Sequence, residues 1–229
     1  MLNDYITLML INMAAGLTVL AFYICKGMDS EDQRSWAAAF LAPGLVALAT
    51  GLHMTLTWPI KATTPDNLTF ANSAFGEMTV LMGVVFLSAA LALARGWSLK
   101  PLAVYAFLAG VVAIVVGVRL AQLGKTLTPY LTGIGFMLSG LGGVLIGPVL
   151  CMPRDRYRRA LLTLVLLAAA FIWTLTACVG YWGNMKKLSS PSEVQKSETR
   201  QVRRGRDSPW RAPSRHALRL EGPGFAISC

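Results

Sequence analysis

The chain has 229 residues, 55% of them hydrophobic and 14% charged, with a formal net charge of +10. Its mean hydropathy of +0.54 is too high for a soluble domain of this length. Unbroken apolar runs of about 20 residues are the mark of helices that cross a bilayer, and because they do not alternate they argue against a membrane β-barrel.

Six spans are predicted, over residues 5–25, 36–58, 74–94, 99–123, 129–150 and 160–182. Short connections make neighbours antiparallel. The expected fold is all-α, a polytopic membrane bundle of six transmembrane helices over 1–185. A basic tail over 186–229 follows, rich in Ser, Arg, Pro and Gly and expected to be disordered. No Lys or Arg precedes the first span, Asp4 heads it and Lys26 follows it; this is the reverse of a cleaved signal's polarity, so the first span is expected to stay in the protein. Cys25, Cys151, Cys178 and Cys229 fit neither a zinc site nor a disulfide framework.

The connections after the first, third and fifth spans carry Lys26, Arg34, Arg95, Lys100, Arg154, Arg156, Arg158 and Arg159. The other side has Lys61 and Lys125, with Arg119 near a span end. Positive charge collects on the cytoplasmic side, so the N-terminus is expected outside. Lys186 and Lys187, directly after the sixth span, run against this rule, although long polar tails cross largely regardless of charge.

In the first span Asn12 needs a partner in lipid, and a hydrogen bond to another helix is the expected one. The following connection, from Met28 to Arg34, reads as a solvated charged loop. The second span has Pro43-Gly44, where a kink is expected. Thr50, His53 and Thr57 then fall on one helical face. His53 lies five residues before Trp58, roughly 7 Å deeper at the helical rise, and Trp58-Pro59 ends the helix at headgroup depth. The connection 60–73 contains the turn signal Pro65-Asp66-Asn67. Asn72 or Ser73 can cap the third span, which would put Glu77 in its first turn, at the favourable end of the helix dipole. The alternative is that Glu77 faces the bundle and pairs with His53 or Arg119.

Arg119 and Gln122 share a face at the end of the fourth span. Arg119 either snorkels to the interface or serves as a counter-ion. In the fifth span Gly135, Ser139, Gly143 and Gly147 recur every four residues, beside Gly140 and Gly142. A matching row, Ala106, Gly110, Ala113 and Gly117, lies in the fourth. Such stripes let helix backbones approach closely, here between these two helices or across a dimer. The loop from Arg154 to Arg159 suits anionic lipid headgroups. The sixth span contains Trp173, Thr174, Thr176 and Cys178 and closes on Tyr181-Trp182. The tail from residue 183 holds ten of the 21 basic residues and four acids, but no folded module supports nucleic-acid binding, and none is expected.

At Gly51-Leu52-His53-Met54, Thr57-Trp58-Pro59 and Asn72 with Phe75-Gly76-Glu77, the chain resembles a family of prokaryotic membrane proteins catalogued as domain of unknown function 981. Asp4-Tyr5, the stretch Leu8 to Asn12, and Gly180-Tyr181-Trp182-Gly183 are similar as well. The resemblance spans residues 1 to about 185, implies a bacterial or archaeal inner membrane, and brings no activity with it.

Asp4, His53, Trp58, Asn72, Glu77, Arg119, Gln122 and Trp182 are all expected near the outer face, and three function classes compete for them. The first is a non-enzymatic accessory or assembly component, as a homo-oligomer or within a larger membrane complex. The second is a small transporter or channel using His53, Glu77 and Arg119, since histidine titrates near neutral pH. The paired broken helices and inverted repeat of many transporters are missing. The third is a metal- or haem-binding subunit. One histidine in the hydrophobic part cannot supply two axial ligands, so haem or a metal would need ligands from another chain or non-histidine ligands, and no cofactor is predicted. No nucleophile elbow, zinc-protease helix or catalytic carboxylate pair occurs, so no catalytic residue is assigned.

Overall fold

The computed structural model describes residues 5–58, 69–124, 128–152 and 154–188. Contacts divide the chain into two units, 1–182 and 183–229, of which the first is the helical bundle. The expected disorder of the tail falls almost wholly outside the described residues. Among those described there is no strand. The helices are α1 (Tyr5–Cys25), α2 (Ser35–Thr57), α3 (Thr69–Arg95), α4 (Lys100–Leu123), α5 (Pro129–Cys151) and α6 (Arg156–Leu188), with a 3-10 turn at Gly27–Asp29. All six are long and apolar enough to cross a membrane.

Two helices are longer than their apolar runs. α3 starts at Thr69, so Asn72 and Ser73 do not cap it and its first turn holds no acid; Glu77 lies more than two turns in. α6 starts at Arg156 because the Asp155 carboxylate accepts the backbone N–H groups of Tyr157 (3.1 Å) and Arg158 (3.3 Å), which is N-cap chemistry.

Two antiparallel hairpins, α2–α3 and α4–α5, form the frame. Glycines close both, seven residues apart on each helix: Gly44 and Gly51, Gly76 and Gly83, Gly110 and Gly117, Gly133 and Gly140. Seven residues are two turns of a left-handed helix pair, so each couple meets its partner helix along one seam. A methyl group on Gly110 would come within 2.5 Å of the Gly140 carbonyl oxygen, and one on Gly83 within 2.6 Å of the Leu48 nitrogen. In lipid, where apolar helices gain nothing by leaving their surroundings, such backbone approach is a main source of association.

The expected stripe on α5 is therefore not one seam. Gly143 faces Ala106 and Gly110 on α4, whereas Gly135 faces the Trp173 ring on α6 and Gly147 meets nothing closer than Ala103 at 3.9 Å. A four-residue repeat drifts around a helix, and here it serves two neighbours in turn.

α1 and α6 complete the unit. Asn12 Nδ2 donates to the Pro43 carbonyl at 2.9 Å, which ties α1 to α2 at the proline. Aromatic rings link neighbouring helices. Phe136 stands edge-on to Phe75 (centroids 5.4 Å) and to Trp173 (5.1 Å), while Tyr23 stands edge-on to Trp36 and Phe40.

Candidate functional site

The residues expected to gather near one face lie on four helices, α2, α3, α4 and α6, the last carrying the exposed Trp182. On α2, Thr50, Thr55 and Thr57 donate to the Val46, Gly51 and His53 carbonyls of their own helix, at 2.7, 2.9 and 2.6 Å. The Thr57 hydroxyl also lies 3.3 Å from His53 Nδ1. Back-bonding of this kind satisfies a hydroxyl without a second helix. His53 itself is exposed. Trp58 caps the helix in the left-handed region (φ 45°), its N–H donating to the Met54 carbonyl at 3.2 Å.

Thr55 meets Gly76 across the α2–α3 seam, which brings His53 and Glu77 to the same level. Glu77 is exposed too, while Asn72, less than two turns before it, is wholly buried. On α4, Arg119 Nη1 donates to Gln122 Oε1 at 3.3 Å, both side chains exposed. Asp4 lies outside the described residues. Among the described residues the ion pairs are Arg159–Asp29 and Arg158–Asp155, and Glu77 is paired with neither His53 nor Arg119.

The opposite, arginine-rich end is more elaborate than a solvated loop. Arg159 turns back onto α1. Its guanidinium donates to the Ile24 carbonyl (2.8 and 3.0 Å) and the Cys25 carbonyl (3.0 Å), and forks onto both Asp29 oxygens at 2.9 and 2.7 Å. It thus caps the end of α1, where unpaired carbonyls and the negative end of the dipole favour a cation. Arg158 is engaged with Asp155 at 2.8 Å. Of the four arginines expected to face lipid headgroups, Arg159 and Arg158 make these contacts within the protein, and Arg154, Arg156 and Arg158 are exposed. The connection between α1 and α2 is also tied inward, through Tyr23 Oη donating to Gln33 Oε1 at 3.0 Å.

The family model described as a protein of unknown function (DUF981) matches residues 1–187. The chain belongs to the DUF981 family. The match takes in all of α1 to α5 and α6 up to its penultimate residue. No curated protein and no solved structure matches this DUF981 chain.

Chemically, the bundle of this DUF981 protein is apolar inside. Its buried polar side chains among the described residues are Thr7, Asn72, Thr79 and Thr132, and none is charged. No three of the described His, Cys, Asp and Glu residues come together as a metal-binding group. His53 would need further ligands from elsewhere.

The Arg159 clamp, 130 residues from Asp29 in sequence, gives a first prediction. Arg159→Ala leaves the Ile24 and Cys25 carbonyls without their donor and is expected to cost about 2–3 kcal/mol, read as a lower melting temperature in detergent. Acid tests the same contact. The hydrogen bond from Arg159, reinforced by the charges of Arg159 and Arg156, holds the Asp29 carboxyl below the usual aspartate range. A carboxyl depressed in the folded state stabilises above its unfolded pKa, about 3.9, and loses that contribution as pH falls through the folded value. Asp29→Asn is therefore expected to flatten the stability loss below about pH 4, and a parallel acid limb in parent and variant would contradict the clamp.

Proposed function

We propose that this protein is a non-enzymatic component of a prokaryotic inner-membrane assembly. On this reading the α2–α3 hairpin presents His53 and Glu77 to a partner helix, from a second copy or another subunit. The observation that carries the reading is the direction these groups face. Both lie at one level inside spanning helices, and both are on the exposed surface, while the interior holds no charged side chain among the described residues. Ionisable groups inside a membrane ordinarily face protein or water rather than lipid, and a covering helix supplies that protein surface. The N-terminus lies outside, placing the arginine-rich end in the cytoplasm, where Arg154 and Arg156 meet anionic headgroups.

A transporter or channel draws less support, because an ion or proton path needs polar groups within the bundle. Photo-crosslinkable residues at positions 53 and 77 are expected to give a discrete protein adduct in intact membranes, and one at Leu108, on the exposed face of α4, to give lipid adducts only. His53→Ala with Glu77→Gln should weaken the recovery of that adduct's partner at least tenfold. Lipid-only labelling at all three sites would overturn the proposal. So would proton or anion flux in liposomes containing this chain alone that the double variant abolishes.

A further inference from the structure

The two hairpins do not close up against one another. α3 meets α4 only sparsely, in contrast to the continuous seams within each hairpin, and a cavity of ≈ 150 Å³ lies between them. The sequence explains why space is left. Beyond Leu99 and Leu102 at its start, α4 turns only Ala103, Ala106, Ala109, Gly110 and Ala113 toward it, and α3 answers with flexible Met78 and Met82, so over most of its length the α4 wall contributes no large side chain.

The cavity is a slot with a direction. Tyr23, Phe40, Leu99 and Leu150 line it at the arginine-rich end, and Phe136 and Ala113 toward the middle of the bundle. From Leu99 to Ala113 is roughly 20 Å at the helical rise, more than half of a hydrocarbon core about 30 Å thick. A hydroxyl in the lining, on Ser139, is already engaged by Trp173 and the Gly135 carbonyl. Apolar cavities of this size stay dry and accept a nonpolar guest. Met13, Met78 and Met82 among the lining residues can swing to suit an irregular one.

Charge decides what that guest carries. Leu99, at the mouth, is flanked in sequence by Arg95 and Lys100, both exposed. The Arg95 guanidinium lies 5.5 Å from the centroid of the exposed Trp97 ring, and an indole marks headgroup depth. A molecule with its tail in the slot would have its head beside two cations.

We infer that the slot takes up a segment of one acyl chain of an anionic phospholipid, the rest of that chain lying along the α3–α4 seam through which it enters, and that the lipid rests its phosphate on Arg95 and Lys100. The headgroup end of the site, at Arg95 and Lys100, is at the opposite end of the bundle from His53 and Glu77, although the lining reaches Met78, next to Glu77. Retained lipid is also a different readout from a captured partner, so the two readings are tested separately.

The test uses the full chain in nanodiscs of equal parts dioleoyl phosphatidylglycerol and dioleoyl phosphatidylcholine, transferred to mild detergent for native mass spectrometry. One phosphatidylglycerol per chain is expected to survive washing that strips the surrounding lipid. Ala109→Leu with Ala113→Leu fills the slot and should lower retention at least tenfold, with helix content by circular dichroism unchanged. Arg95→Gln with Lys100→Gln leaves the slot open, so a lipid should remain while the preference for phosphatidylglycerol falls to near parity. No retained lipid, or equal retention by the filled variant, overturns the inference. Retention of phosphatidylcholine as readily as phosphatidylglycerol by the parent overturns it as well. Should the filled variant fail to fold, the charge variant decides alone, and an unchanged preference for phosphatidylglycerol counts against the site.

Discussion

Gly140→Leu is expected to separate α4 from α5 and to cost at least about 3 kcal/mol, the upper end of what overpacking does in a core. The reason is the nature of the obstacle. A side chain added at Gly140 meets the Gly110 carbonyl, the Ile114 nitrogen and the Ile114 side chain, and one added at Gly110 meets the Gly140 carbonyl and the Val144 nitrogen. Flexible side chains can yield by changing rotamer, but two helix backbones yield only by moving apart. That movement would also draw the Gly117–Gly133 contact open, where a methyl would stand 2.7 Å from the facing carbonyl. Gly147→Ala on the same helix is the control, since its new methyl would lie 3.9 Å from Ala103 Cβ. It should be neutral or stabilising by up to about 1 kcal/mol, the helix-propensity gain of alanine over glycine. Unfolding of the purified protein in increasing sodium dodecyl sulfate, followed by circular dichroism, would rank the two. Equal midpoints would mean that the close seam contributes little.

The six helices were legible because run length alone decides them: an apolar stretch of 20 residues in a chain this hydrophobic has little else to become. Their ends were less so. Hydropathy stops where polar residues begin, so Thr69 and the Asp155 cap lay outside the window that finds a span, although Asp155 ahead of Arg156 and Tyr157 carried a readable capping signal. The glycine content of α5 announced close packing, yet its grouping into fours hid the sevens of Gly133 and Gly140, which match Gly110 and Gly117 only once α4 is known to be the neighbour. The directions of His53 and Glu77 were not legible for a deeper reason. A soluble helix shows its buried face as an apolar stripe, but a spanning helix is apolar all round, so the pattern cannot tell the core from the lipid. Arg159 and Asp29 fall in the same class. Their contact depends on α1 lying beside α6, which nothing in either segment records.

Trp173→Ala should be the most damaging single change in the sixth helix, by about 3 kcal/mol or more. Trp173 is fully buried, its ring edge-on to Phe136, with Gly135 leaving room for the indole at 3.0 Å from where a Cβ would be. In a bilayer the transfer part of this cost shrinks, since lipid is as apolar as the core; the lost packing around an emptied site remains. The indole N–H donates to Ser139 Oγ at 2.9 Å and Ser139 donates onward to the Gly135 carbonyl at 2.8 Å, a relay from α6 into α5. Trp173→Phe keeps most of the ring and removes the donor, leaving Ser139 with its backbone partner. It should therefore cost less than Ser139→Ala, which strands a buried indole N–H at about 1–3 kcal/mol. Combining Trp173→Phe with Ser139→Ala removes both members, so the double variant should be little worse than Trp173→Phe alone; additive losses would show that the two side chains act separately. Phe136 and Ser139 also line the slot, so the emptied Trp173 site would open into it. Trp173→Ala is then expected to destabilise the bundle while changing which lipid it retains, whereas Arg159→Ala, at the junction of α1 and α6, should lower stability and leave that lipid unchanged.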